Sequence, residues 1–222
     1  MGIGILRYKE YQRLKQLEQA DTTQQPTSTQ EPQGLESSDG ILIIVDVQGE
    51  FDQYTPQGFE ENIMKYCDEF PKGTDENDVK GVYQIWDSNK ATGYTYTFPN
   101  QVSVVRKNYG TKFNTMIRNI AMNKLPQDSA EGKLFKFKDS NKYLVKVNNN
   151  HKWFFVNEEL YNLYQRLKGK RVIIVGGADS ECLQDVYISM KSFGIIPTYN
   201  HKYIYNASMN DDMKSTDKQE NV

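Results

Sequence analysis

Two short runs of consecutive apolar residues constrain this sequence more than any other feature. They cover Ile41 to Val45 and Val172 to Val175, and most of their residues are β-branched. An unbroken apolar run of this length is typical of a strand that is buried on both faces. Such strands belong to parallel sheets that helices cover on both sides. Segments with helical spacing separate these runs, so we predict an α/β fold with a doubly wound, mostly parallel sheet and helices on both faces.

Composition divides the chain into four parts. Residues 1–20 carry a thin stripe of Tyr and Leu at every third position among charged residues, which predicts an amphipathic N-terminal helix. Residues 21–39 are rich in Gln, Thr, Ser, Pro and Glu, which predicts a disordered linker. The α/β domain is predicted over residues 40–205, followed by a polar tail over 206–222. A helix on a tether would suit docking to a protein partner.

The overall composition argues against several classes of protein. Lys and Arg number 27 against 29 Asp and Glu, so the net charge of −2 offers no general attraction for nucleic acid. No apolar run approaches the ~20 residues of a membrane span. Cys67 and Cys182 do not form a disulfide framework, which favours a reducing, intracellular compartment, the cytoplasm first and mitochondria as the alternative. His151 and His201 are too few for most His-based metal sites, and we expect no metal or other cofactor.

The second apolar run leads into the clearest candidate site. Gly176 and Gly177 are predicted to end the strand, because glycine accepts the backbone angles of an abrupt turn. Asp179 and Ser180 can then cap a helix. Cys182 falls in the first turn of that helix, where the helix dipole favours thiolate over thiol. The alternative interpretation is an inert Cys buried in a core helix.

Two other polar residues follow predicted strands. Asp46 comes directly after the first run, and open α/β sheets bind their ligands at the carboxyl ends of the strands. Asp46 has the alternative role of a cap or turn residue. Lys146 lies near the end of the second β-like run of the segment 134–147, which is predicted to form a hairpin or two neighbouring strands.

Together these segments resemble the isochorismatase-like cysteine hydrolases, the superfamily that includes nicotinamidases and N-carbamoyl amidohydrolases. Ile-Ile-Val-Asp-Val-Gln-Gly-Glu-Phe, residues 43–51, looks like the opening motif of that family. Val-Gly-Gly-Ala-Asp-Ser-Glu-Cys-Leu, residues 175–183, looks like its cysteine motif, and Tyr-Leu-Val-Lys, residues 143–146, is similar to its lysine motif. The resemblance spans about residues 40–205. It implies a Rossmann-like three-layer domain and a homo-oligomer, because the family often forms dimers or tetramers.

The resemblance also implies a catalytic triad. Cys182 would be the nucleophile, Asp46 the general base and Lys146 the cation that stabilises the thiolate. The backbone N–H groups of Cys182 and Ala178 would bind the oxyanion, with Gly177–Ala178 as a cis peptide bond.

The lysine of the triad has a rival in Lys107, within Val-Val-Arg-Lys-Asn-Tyr-Gly-Thr-Lys-Phe. We prefer Lys146 because it lies closer to Cys182 along the chain, in the usual place for the motif. Phe51, Trp86 and Trp153 are candidates for an aromatic wall of the substrate pocket. Each of these three side chains has the alternative role of a core residue.

Three departures from the family narrow the expected activity. Asp87-Ser88-Asn89 stands where nicotinamidases carry Asp-x-His as metal ligands, so a metal-dependent nicotinamidase is not expected. Asp179 replaces the usual Thr, and a carboxylate there would raise the pKa of Cys182. The small Ser-Ala-Phe signature that follows the lysine in the family is replaced after Lys146 by residues 147–155.

These observations predict a metal-free cysteine hydrolase that cleaves a small amide, carbamoyl or related substrate. The alternative is a catalytically degenerate module of the same fold that serves as a structural or docking subunit of a larger assembly. A nucleotide-binding domain has less support, because it rests on Gly176 and Gly177 without the spacing of a dinucleotide or phosphate loop.

Overall fold

The computed structural model describes residues 40–73, 79–87, 96–107, 111–147 and 153–206. The predicted N-terminal helix, the linker and residues 207–222 of the predicted tail lie outside these ranges. The docking role predicted for residues 1–20 therefore stays a prediction.

The described part of the chain forms eight strands and four α-helices. The strands are β1 (Ile41–Val45), β2 (Gly81–Trp86), β3 (Gln101–Arg106), β4 (Leu134–Lys136), β5 (Tyr143–Lys146), β6 (Trp153–Val156), β7 (Val172–Gly177) and β8 (Thr198–Tyr205). The helices are α1 (Phe59–Cys67), α2 (Thr111–Lys124), α3 (Glu158–Leu167) and α4 (Gln184–Ser192). None of these helices has the length and apolar character needed to cross a membrane.

Five of the strands form an all-parallel sheet in the order β3-β2-β1-β7-β8, which confirms the predicted fold class. β1 lies in the centre, with Ile41 opposite Gly81 of β2 and Val172 of β7. The chain winds outward in one direction from β1 to β3 and in the other from β7 to β8. The carboxyl ends of β1 and β7 therefore form a topological switch point, where open α/β sheets bind their ligands.

Helices cover both faces of this sheet. Leu42 packs with α1 through Phe59, whereas the neighbouring Ile43 packs with α3 and α4 through Leu163 and Val186. Consecutive residues of a strand point to opposite faces, so α1 lies on one side and α3 and α4 lie on the other. No residue of β1 is more than 2% exposed, which explains why the run is apolar at every position instead of alternating.

A second sheet is antiparallel, with the order β4-β5-β6. The hairpin predicted over 134–147 is present as β4 and β5, and β5 pairs with β6 rather than with the parallel sheet. One face of this smaller sheet packs on α2, through Phe155 against Ile117. The other face joins the main core through Val145 and Phe154. The molecule thus has a small β-layer that the sequence did not separate from the main sheet.

Two local features complete the fold. The last strand begins at Thr198, directly after Pro197, which has no N–H to donate to a strand ladder. The buried stripe of α2 runs through Ile117 and Ala121, one turn apart, and Met116 is 47% exposed.

Candidate active site

Two glycines at the end of β7 shape the switch point. The strand runs through both of them rather than ending at Val175, and Gly176 has a φ of 104°. A Cβ on Gly176 would lie 2.1 Å from the carbonyl oxygen of Val45, and one on Gly177 would lie 2.4 Å from the ring of Tyr205. Both distances are far below van der Waals contact. Glycine is therefore required for β1, β7 and β8 to approach one another here.

The turn that follows β7 carries Cys182. A π turn over Asp179–Leu183 precedes α4, and Ala178 is its N-cap residue. The sequence placed the cap at residues 179–180, whereas the N-cap residue is Ala178, whose side chain cannot accept a hydrogen bond. The carbonyl of Ala178 accepts the N–H of Leu183 at 3.2 Å. Cys182 thus lies in the first turn after the strand, as the sequence predicts.

The backbone around this turn also matches the sequence prediction. The Gly177–Ala178 peptide bond is cis. Cys182 comes just before Leu183, whose N–H makes the π-type bond five residues back. The leading N–H groups of a helix have no acceptor within it, and Cys182 is among those leading residues. An oxyanion beside Cys182 would therefore meet backbone donors.

Asp46 and Lys107 form a buried ion pair at the same edge of the sheet. Lys107 directly follows β3, and its Nζ donates to Oδ2 of Asp46. The side chains are 3% and 1% exposed respectively. The backbone of Asp46, with a φ of 50°, is held by its N–H to the carbonyl of Ile85 at 3.0 Å and by the hydroxyl of Tyr205, which donates to the Asp46 carbonyl at 3.1 Å.

Lys146, which we preferred from the sequence as the lysine of the triad, does not lie beside Asp46. It lies at the end of β5 and is fully buried. Its Nζ donates to the carbonyl oxygen of Gln127 at 3.2 Å and lies 5.4 Å from the centre of the Trp153 ring. The reason is topological, because β5 belongs to the antiparallel sheet. β3 lies in the parallel sheet, so it delivers Lys107, the rival, to the edge that holds Asp46 and Cys182.

The thiol of Cys182 interacts with both members of the ion pair. Burial raises its pKa to about 12; the charge of Lys107 opposes this rise, and the charge and hydrogen bond of Asp46 add to it. Asp185 of α4 raises the pKa further. The sequence suggested that a helix start and a lysine would favour the thiolate. In the structure, burial and the neighbouring carboxylates outweigh those effects and favour the neutral thiol.

The two charged partners are shifted as well. Burial raises the pKa of Asp46, although Lys107 opposes the rise. Burial alone would lower the pKa of Lys107, but the charges of Asp46 and Cys182 more than offset this and raise it. Oδ1 of Asp46 is buried and makes no hydrogen bond of good geometry, so it is the oxygen left for the thiol proton. Transfer of that proton to Asp46 keeps the net charge of the three groups constant and leaves the thiolate beside an ammonium.

A cavity of about 270 Å³ opens at Cys182. Its described lining residues are Asp46, Phe51, Tyr54, Gly177, Ala178, Glu181, Cys182 and Tyr205. Phe51 therefore lies in the wall, as the sequence predicts. Trp86 and Trp153 do not line the cavity. The guanidinium carbon of Arg106 lies over the Trp86 ring, 5.5 Å from the ring centre, and Trp153 lies beside Lys146.

Three residues to which the sequence assigned no role hold the site together. The side-chain amide of Gln48 makes two hydrogen bonds of 3.1 Å with the backbone N–H and C=O of Asp87. Gln84 donates to the carbonyl oxygen of Val47 at 2.9 Å. Tyr205 ties the last strand to Asp46. A fully buried Gln within the apolar run of β2 was a usable signal, because a buried amide needs hydrogen-bond partners.

Among the described residues, no three His, Cys, Asp or Glu side chains cluster in a way that could hold a metal ion. Of the segment 87–89, where the metal ligands of nicotinamidases would stand, the structure describes Asp87 alone. Comparison of the chain with protein-family models, curated proteins and solved structures finds no match. Function must therefore be inferred from the geometry of Asp46, Lys107 and Cys182.

Proposed function

We propose that this protein is a cysteine hydrolase that cleaves a small amide, carbamoyl or related C–N bond without needing a metal. Cys182 is the nucleophile, Asp46 the general base and Lys107 the cation that stabilises the thiolate. One observation supports this proposal most directly. A carboxylate, an ammonium and a thiol from the ends of three different parallel strands interact beside a cavity that reaches the thiol. The resemblance to isochorismatase-like hydrolases belongs to the same proposal, with Lys107 in place of Lys146.

The first half-reaction forms a thioester. Asp46 accepts the proton of Cys182, and the thiolate attacks the carbonyl carbon of the substrate. The C=O π bond opens to an oxyanion, which the leading N–H groups of the turn, those of Cys182 and Ala178, stabilise. Loss of one such donor typically costs about 3 kcal/mol of transition-state stabilisation. The C–N bond then breaks, and Asp46 returns its proton to the leaving nitrogen.

The second half-reaction releases the product. Asp46, again a carboxylate, takes a proton from water, and the oxygen of that water attacks the thioester carbon. The C–S bond breaks and the sulfur recovers a proton from Asp46. Lys107 remains protonated throughout, because its raised pKa keeps it charged while the negative charge moves between Asp46 and Cys182. General acid–base catalysis of this kind contributes about 10²–10⁴ in rate.

An acyl-enzyme trap tests the proposal. The full chain with Cys67→Ala is incubated with p-nitrophenyl acetate, and the released nitrophenol and the mass of the intact protein are followed. A panel of primary amides and N-carbamoyl compounds is then assayed for ammonia release. We expect acetylation at Cys182, turnover of at least one panel member, and loss of both in Cys182→Ala. Acetylation no faster than that of N-acetylcysteine at the same pH, together with no turnover, would overturn the proposal.

A further inference from the structure

The peptide group that joins Arg106 to Lys107 is held at both ends. Its N–H, which belongs to Lys107, donates to the carbonyl oxygen of Trp86 in β2 at 3.0 Å. Its carbonyl, which belongs to Arg106, accepts a hydrogen bond from Nδ2 of Asn157. The N–H and the C=O of a trans peptide group point in opposite directions, so these two bonds fix the plane of the group. The side chain of Lys107 leaves the backbone directly after this fixed plane.

β3 needs such a contact because it is an edge strand. Among the described strands it pairs with β2 alone. The carbonyl of Arg106 points away from β2, on the side where an edge strand leaves backbone groups without a neighbouring strand. Asn157 lies between β6 and α3 and is 2% exposed. Its amide supplies the hydrogen bond that a further strand would otherwise make.

Both halves of the Asn157 amide are used. Oδ1 accepts the N–H of Leu160 at 2.9 Å and so caps the first turn of α3. Nδ2 is therefore the atom that faces the carbonyl of Arg106. Ser and Asp cap helices about as well as Asn does. A residue needed only as a cap could be any of these, whereas Asn also carries the donor that binds β3.

This contact bears on the site because the ammonium of Lys107 lies far from its own backbone. The ammonium of a lysine ends a flexible four-carbon stem, so its position depends on the backbone that carries the stem. Nζ of Lys107 donates to Asp46, and its charge opposes the rise in the pKa of Cys182. A tilt of the preceding peptide group would move the ammonium away from both partners.

We infer that Asn157 is a positioning residue of the site, which holds the peptide group before Lys107 and so keeps the ammonium beside the other two members of the triad. This inference rests on the proposed function, because it names the residue that aligns the cation of the same triad. Asn157 is not among the described residues that line the cavity, so it acts through Lys107 rather than on the substrate. The small antiparallel sheet thereby contributes to the chemistry, since Asn157 directly follows β6.

Labelling of the two thiols tests the inference without any turnover. Asn157→Ser keeps an oxygen that can cap α3 and removes the amide donor. The full chain is treated with iodoacetamide at pH 7, where the thiolate displaces iodide and a C–S bond forms, and each modified cysteine is followed by peptide mass. Cys67 is 0% exposed and is the internal reference. Glu158→Gln is the matched control, because it alters the same helix start and keeps Asn157.

We expect Cys182 in Asn157→Ser to react several-fold more slowly than in the wild type, because a displaced Lys107 opposes the rise in its pKa less well. Cys67 should keep its rate, and Glu158→Gln should match the wild type at both cysteines. A substitution that merely loosened the fold would act in the opposite direction, because exposure of a buried thiol speeds its labelling. Unchanged or faster labelling of Cys182 would overturn the inference.

A second variant separates the donor from the cap. Asn157→Ala removes both, and it should slow the labelling of Cys182 by about the same factor as Asn157→Ser. Slow labelling in Asn157→Ala with a wild-type rate in Asn157→Ser would assign the effect to the helix cap and overturn the inference.

Kinetics on the best amide separate this inference from the proposal beneath it. Asn157→Ser should lower kcat by about tenfold or more, since misplacement by about 1 Å can cost about 100-fold, and it should change KM by less than about twofold. Wild-type kcat together with unchanged labelling overturns the inference alone. Slower labelling of Cys182 in Asn157→Ser, with no hydrolysis of any amide by the wild type, leaves the positioning of Lys107 standing and overturns the hydrolase proposal.

Discussion

Two of the described lysines are buried, and their surroundings differ in kind. Lys107, after β3, faces the carboxylate of Asp46 and the thiol of Cys182. Lys146, at the end of β5, faces a backbone carbonyl oxygen and the ring of Trp153. The first lysine shares its surroundings with two groups that are able to exchange a proton, because Asp46 and Cys182 are both titratable and share a hydrogen bond. The second interacts with groups that have none to exchange at neutral pH, so its burial serves packing rather than chemistry.

Strand direction explains this difference. In the parallel sheet the carboxyl ends of β1, β3 and β7 lie at one edge, so residues that follow these strands converge. In the antiparallel sheet neighbouring strands point in opposite directions, and Lys146 at the end of β5 lies opposite Trp153 at the start of β6. A residue at the end of an antiparallel strand therefore meets the beginning of its neighbour. The comparison teaches that the type of sheet, rather than distance along the chain, decides which lysine reaches Cys182.

Replacing each lysine with methionine keeps most of the aliphatic side chain and removes the charge. We expect this pair of variants to show the largest difference in activity. Lys107→Met should lower kcat/KM by about 10³-fold or more, a barrier increase of about 4 kcal/mol. The reason is that Lys107 is the neighbour that lowers the pKa of Cys182. Lys146→Met should stay within a few-fold of the wild type. Steady-state kinetics on the best amide measures both, and similar losses in the two variants would contradict the comparison.

The same substitution should affect stability through Asp46. Lys107→Met leaves a carboxylate that is 1% exposed without its counter-charge, which typically costs about 3–5 kcal/mol. Burial already raises the pKa of Asp46, and loss of Lys107 raises it further. A carboxyl group whose pKa is higher in the folded than in the unfolded chain destabilises the fold as pH rises through that pKa. The loss should therefore be largest at neutral pH and shrink on acidification.

Urea unfolding at pH 7 and pH 5 measures this effect. The double variant with Asp46→Asn and Lys107→Met should recover much of the lost stability, because it contains no buried unpaired charge. A stability loss that is equal at both pH values, or equal in the double variant, would show that Lys107 contributes through packing alone.

Asp46→Asn should separate thiol reactivity from turnover. The charge and hydrogen bond of Asp46 raise the pKa of Cys182, so their removal should leave a thiol whose pKa is lowered by Lys107. We expect iodoacetamide to modify Cys182 about tenfold faster at pH 7, while hydrolysis is lost with the base. Cys67 is 0% exposed and burial raises its pKa to about 12, so it should stay slow and serve as the internal reference. Slower labelling of Cys182 in the variant would mean that Asp46 already holds the proton in the resting protein.

The smallest effect is expected in the antiparallel sheet. Trp153→Phe removes an indole N–H that is buried without a hydrogen-bond partner, which offsets the loss of part of a cation–π contact with Lys146. The free energy of unfolding should change by less than about 1 kcal/mol, and kcat/KM should change by less than about twofold. Phe51→Ala, in the cavity wall, is the matched control and should raise KM clearly. A larger kinetic effect of Trp153→Phe would place that ring near the substrate.

The fold could be predicted because its central strands are buried on both faces, and such burial leaves an unbroken apolar run in the sequence. The positions of Asp46 and Cys182 followed from the same runs, since each residue comes shortly after one. The place of Lys107 did not follow, because chain distance suggested Lys146. A signal was present: the segment around Lys146 was recognised as a hairpin, and a hairpin is antiparallel. Its strands could therefore have been separated from the parallel set.

The electrostatics of the site could not be derived from the sequence. A cysteine at a helix start beside a lysine suggests a thiolate, and this holds only if the site is solvated and the lysine is not already paired. The pKa of Cys182 depends on how deeply the thiol is buried and on which carboxylate lies closest. Both depend on the close approach of β1, β7 and β8 at Gly176 and Gly177. These contacts cannot be inferred from the sequence before the strand pairing is known.

The pairing of β1 with β7 determines when the site can assemble during folding. Ile41 pairs with Val172, so the central seam of the sheet joins segments from nearly opposite ends of the domain. Such distant pairings slow folding, because a long loop must close before they form. During synthesis Asp46 and Lys107 leave the ribosome well ahead of Cys182. The three side chains therefore first meet when the last crossover of the chain has docked.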